Sequence, residues 1–128
     1  MSIRRNEIAL GAFLGLAVWV AVGALGLLAL RTLWHEYALA EPLKLYTPGM
    51  LAARLTVATL ASIVAGAVAS RPAGPAGTWA AGTLLLLLSV PVHIGVWPDY
   101  PAWYHAVYLT LLVPVTAAGG SLAAVPRR

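Results

Sequence analysis

The sequence predicts an all-α integral membrane protein, a four-transmembrane-helix bundle with its N- and C-termini cytoplasmic. Three observations predict it. Of 128 residues, 61% are hydrophobic and 9% are charged, with a mean hydropathy of +0.85, whereas soluble domains carry charge on about a quarter of their residues. Four apolar stretches, about 8–30, 50–70, 78–97 and 105–125, are each long enough to cross a hydrocarbon core about 30 Å thick. Arginine and lysine are unequally divided between the segments that join them. The spans leave only 43 residues for tails and connections, so the chain is expected to be a single membrane domain over 1–128.

The first stretch, 8–30, holds no charge and exceeds the roughly 7 to 15 apolar residues of a secretory signal, so it is expected as a retained helix despite Arg4 and Arg5 before it. A roughly helical recurrence of Leu30, Leu33, Trp34, Tyr37 and Leu39 runs to Ala40, where Pro42 disfavours helix at Glu41, so an outward extension of the first helix or a separate surface-lying turn is expected. Thr47 and Pro48 restart the chain as an N-cap and a first-turn proline. The second stretch, 50–70, carries Arg54 as its only charge. The connection 71–77 reads RPAGPAG, a tight inner turn that makes the second and third helices an antiparallel hairpin. The third and fourth stretches, 78–97 and 105–125, lack Lys, Arg, Asp and Glu and are joined by the proline-stiffened outer segment 98–104. Pro91 and Pro114 each remove a backbone donor inside a span and are expected to kink it.

Orientation follows from the basic residues. Arg4, Arg5, Arg71, Arg127 and Arg128 share one side with Glu7; Arg31, Lys44 and Arg54 share the other with Glu36, Glu41 and Asp99. Five against three places both termini and the hairpin turn inside and the segments 31–49 and 98–104 outside. The expected location is a bacterial cytoplasmic membrane.

Between apolar helices in lipid, close backbone approach through small residues drives packing. Gly11 and Gly15 form such a contact surface in the first helix, and Ala58, Ser62 and Gly66 recur every four residues in the second. Packing within one chain is the expected use, and an oligomer interface the alternative.

Ionisable groups placed near a span are the candidates for function. Arg31, His35, Glu36, Arg54, His93, Asp99 and His105 all fall at the outer level. They form a candidate ligand-binding cluster in which Arg31 and Arg54 receive an anionic group, or Arg54 pairs with a carboxylate such as Glu36 or Asp99, and Glu36, Asp99 and the histidines supply metal ligation or proton transfer. The competing reading is interfacial anchoring, with Arg54 snorkelling and the Trp and Tyr residues forming an aromatic belt. His93 and His105 could each ligate haem iron, but a capping or core role is the expected one, so no cofactor is assigned. No metal site is assigned: there is no cysteine, no HExxH and no pair of histidines three or four apart, so one would have to be assembled from different helices. Neither a phosphate loop nor a catalytic residue is evident. Nucleic acid is not an expected partner, because the inner arginines are scattered over short segments; anionic lipid head groups are.

In outline, four short helices in just over a hundred residues are similar to the small multidrug exporters. That family carries a membrane-embedded glutamate in its first helix, and the stretch 8–30 has none, so proton-coupled cation export lacks its key residue. The expected function is a non-catalytic structural or accessory subunit packing against itself or a larger membrane assembly. The alternative is a small membrane enzyme or binding protein for a lipid-like or quinone-like amphiphile at the outer leaflet.

Overall fold

A computed structural model describes residues 2–124, and every regular element among them is helical. They are α1 (Ser2–Leu33), α2 (His35–Ala40), α3 (Pro48–Gly95), a 3-10 turn (Trp97–Asp99) and α4 (Ala102–Ala123). Among the described residues three helices are long and apolar enough to cross a membrane: Arg4–Leu33, Pro48–Gly95 and Ala102–Ala123. The end of the expected fourth span at Val125, with Arg127 and Arg128, lies outside the described residues.

Straight, the 48 residues of α3 would extend about 72 Å. They do not run straight. Gly74 takes φ 58°, ψ −140°, a conformation open to glycine and strained for other residues, and Pro72 and Pro75 beside it cannot donate to a continuous helical ladder. The Thr78 hydroxyl lies 3.4 Å from the Gly66 carbonyl, although twelve residues of unbroken helix would separate them by about 18 Å. The chain therefore reverses at Gly74, and two arms, 48–73 and 75–95, run antiparallel. Elsewhere in α3 the backbone stays helical, through Pro91 included.

At its start, α3 is capped as the Thr-Pro-Gly signal requires: the Thr47 hydroxyl accepts the Met50 N–H at 3.3 Å, and Pro48 occupies the first turn. Of the two expected forms of the junction before it, the structure has the separate turn of helix, with one side turned inward. Helix does not continue smoothly through 34: Trp34 is extended (φ −126°, ψ 97°) and turns α2 away from α1, which brings Tyr37 into the interior with no exposed surface. Glu41, although followed by proline, keeps helical angles and donates its N–H to the Tyr37 carbonyl at 3.0 Å.

Small residues make the helix contacts. Gly11 lies against the Ala69 carbonyl and the Gly77 backbone, and Gly15 against Ala69 and Ala81, so α1 packs across both arms of the hairpin. On the other side Gly66 faces the Thr116 carbonyl, Gly119 faces the Ile63 backbone and Gly120 faces the Thr78 side chain. Ala61, Ala65, Ala69 and Ala81 have no exposed surface, and Ser62 is buried with them. Each contact allows backbones to approach where a larger side chain would hold them apart. These pairings also set the polarity of the bundle. The start of α1, the hairpin turn and the end of α4 share one end; α2, the capped start of α3 and the 3-10 turn share the other.

Candidate functional site

At the α2 end, Arg54 lies six residues into α3, about 9 Å from its start. Its guanidinium is enclosed by tyrosines from four segments. Nη1 donates to the Tyr37 hydroxyl of α2 at 2.5 Å and Nε to the Tyr104 hydroxyl of α4 at 3.4 Å. The rings of Tyr46, before α3, and Tyr100, after the 3-10 turn, lie 5.3 and 5.5 Å from its central carbon, within cation–π range. Tyr46 stacks on Tyr100 at 5.4 Å and Tyr100 on Tyr104 at 4.9 Å, so the cage is continuous.

The acid that meets Arg54 is Glu41, rather than Glu36 or Asp99. Glu41 Oε1 accepts from Arg54 Nη1 at 3.4 Å and from Arg31 Nη2 at 3.0 Å, while Oε2 pairs with Arg31 Nε. One carboxylate thus bridges two guanidiniums, and the trio holds a surplus of one positive charge. The Arg54 and Glu41 side chains are each only 16% exposed. The Arg31 hydrogen bond holds the Glu41 carboxyl below the usual carboxylate range against an opposing burial effect. Burial pushes the Tyr37 hydroxyl up, partly countered by Arg54, and pushes up the Tyr46 hydroxyl, whose oxygen is enclosed without a hydrogen-bond partner among the described residues.

His93 and His105 form a second, adjoining unit. Their Nδ1 atoms are 2.7 Å apart, and His105 Nε2 lies 3.2 Å from the Trp97 carbonyl. A carbonyl only accepts, so His105 carries its proton on Nε2; in the neutral pair its Nδ1 then accepts from His93 Nδ1. Trp97 stacks on His105 at 4.3 Å, and the Tyr108 ring lies 4.4 Å from His93. With their Nδ1 atoms directed at each other, the histidines satisfy one another inside the protein. Among the described residues no three metal-capable side chains converge.

Of the seven candidate residues, the structure therefore joins Arg31 to Arg54 through Glu41 and His93 to His105. It leaves His35 and Glu36 exposed on the outward face of α2, and Asp99 half-buried without an ion pair among the described residues. Sequence reasoning missed Glu41 and the tyrosines. The available signal was the lone charge of a span, which demands an acid from a connecting segment.

Below Arg54 a groove of about 300 Å³ opens between α1, the first arm of α3 and α4. Trp19, Gly23, Val57 and Ala58 line it, and Arg54, Tyr104 and Tyr108 bound it. Trp19 Nε1 donates to the Ser62 hydroxyl at 3.1 Å, which donates to the Ala58 carbonyl at 2.8 Å, so the polar atoms of that wall are already paired. A Cβ on Gly23 would meet nothing within 4 Å, whereas one on Gly26 would run into Val57. The groove is therefore apolar along its length and cationic at one end.

No protein family matches the sequence, and comparisons with curated proteins and with solved structures likewise give no match. Fold and geometry alone define the class: a small all-helical protein with apolar helices that could cross a membrane and a caged arginine at one end.

Proposed function

We propose that the protein is a polytopic membrane protein that binds a lipid-like amphiphile in the groove beneath Arg54. Counting the two arms of α3 separately gives four spans, since 48–73 and 75–95 are each long enough for about 30 Å of hydrocarbon. Arg4, Arg5 and Arg71 lie at the hairpin end, which supports a cytoplasmic placement of that end. The α2 end then lies at the outer leaflet of what we take to be a bacterial cytoplasmic membrane.

The observation that carries this reading is the guanidinium at the head of a laterally open apolar groove. That arrangement suits a molecule with a polar head and a hydrocarbon tail. A role as an accessory subunit packing on itself or a larger assembly has less support, because Gly11, Gly15 and Gly66, its strongest motif evidence, make contacts inside one chain. The exposed apolar face of α1, with Phe13, Leu25 and Leu28, suits lipid equally well.

Native mass spectrometry of detergent-extracted protein tests the reading. Wild type should retain one amphiphile per chain. Gly23→Phe, whose side chain has space to enter the groove, should fold and lose it. Wild type without bound amphiphile, or a Gly23→Phe variant that retains it, would refute the proposal.

A further inference from the structure

Binding an amphiphile does not by itself say what head group the groove takes. The charge and donor inventory around Arg54 does. Arg31 and Arg54 share one carboxylate, and Lys44 adds to the positive field at Glu41. The other acids at this end do not compensate: Glu36 is exposed on the far face of α2, and Asp99 makes no ion pair among the described residues. The tyrosines of the cage offer hydroxyls and ring faces but no carboxylate. A surplus positive charge therefore sits where Arg54 is only 16% exposed, and an uncompensated charge in such surroundings is costly.

The donors point the same way. Arg54 uses Nη1 on Tyr37 and Glu41 and Nε on Tyr104; Nη2 has no partner among the described residues, and Arg54 bounds the groove. A guanidinium with one uncommitted nitrogen can donate a charge-assisted hydrogen bond to an oxyanion. Volume bears on the tail. About 300 Å³ beside residues 19–27 of α1, a length of about 12 Å, is room for the head-proximal part of one hydrocarbon chain, whose end leaves by the open side.

We infer that the occupant is a single-chain acyl carboxylate, a long-chain fatty acid, whose ionised head completes the charge balance at Arg54 and whose chain runs past Gly23 toward Trp19. The inference rests on the groove reading above and adds the chemistry of the head.

The test is binding of oleate, oleyl alcohol and a single-chain lysophosphatidate to the full chain in detergent, at a pH where the fatty acid is ionised. Wild type should bind oleate at least about tenfold more tightly than oleyl alcohol, as expected for a charge-assisted hydrogen bond. Arg54→Gln should remove that preference, and Gly23→Phe should abolish binding of both. Equal affinity of wild type for oleate and oleyl alcohol would overturn the head-group inference while leaving the groove intact, and this comparison needs no variant to fold. Markedly tighter binding of the lysophosphatidate would overturn the carboxylate in favour of a phosphate. Failure of every amphiphile to bind would overturn the groove reading itself.

Discussion

Replacing Gly66 with alanine adds one methyl group at the closest approach of α3 and α4. The new Cβ would overlap the Thr116 carbonyl oxygen, and would stand 2.8 Å from its carbon and 3.0 Å from the Gly120 nitrogen, where ordinary contact begins at 3.4 Å. These neighbours are backbone atoms of a packed helix and cannot rotate away. Clearing the carbonyl carbon alone requires the helices to part by about 0.6 Å, and the oxygen demands more, which loosens the Ala65, Leu85 and Leu112 core. Overpacking of this kind costs about 1 to 3 kcal/mol. Gly23→Ala is the matched control: its Cβ meets nothing within 4 Å, so the better helix propensity of alanine should leave stability unchanged or raise it by up to about 1 kcal/mol. Thermal unfolding in one detergent compares the two. Equal melting temperatures for Gly66→Ala and wild type would refute the packing described for α3 and α4.

Arg54→Ala should lose about 1.5 to 3 kcal/mol through its bonds to Tyr37 and Tyr104, less than an orphaned acid would cost, because Glu41 keeps Arg31; Arg54→Lys should recover little, since an ammonium does not reproduce the fork, and near-wild-type unfolding of both variants would count against the cage. Glu41 has a lowered folded-state pKa, so its stabilisation is complete above the ordinary value near 4.5 and disappears as pH falls through the folded value; Glu41→Gln should flatten the acid limb of a stability–pH profile, and an unchanged limb would exclude this pair as its source. Reporter fusions at Leu43 and Arg128 should lie on opposite sides of the membrane, and finding both on one side would exclude four spans.

The helical class and its long apolar helices were legible because the length of a hydrophobic run is read from the local order of residues alone. The partner of Arg54 was not. Three acids, Glu36, Glu41 and Asp99, stand on segments at the α2 end, and the selection is made by one extended residue, Trp34, which rotates α2 so that Tyr37 and Glu41 face the bundle while His35 and Glu36 face away. Likewise, the sequence places His93 and His105 at one depth, but their contact depends on the 3-10 turn that offers the Trp97 carbonyl. The groove was hidden for a different reason. Gly23 and Gly26 look alike in sequence, yet only the neighbours brought by folding show that one meets Val57 and the other borders open space.

The most direct test of the groove is cross-linking with a fatty acid carrying a photoactivatable group along its chain, with labelled peptides located by mass spectrometry. Saturable labelling is expected on Val20, Gly23, Ala24 and Val57, which line the groove, and oleate should compete with it. Labelling spread over Phe13, Leu25 and Leu28 on the outward face of α1, with no competition and none in the groove, would contradict the account.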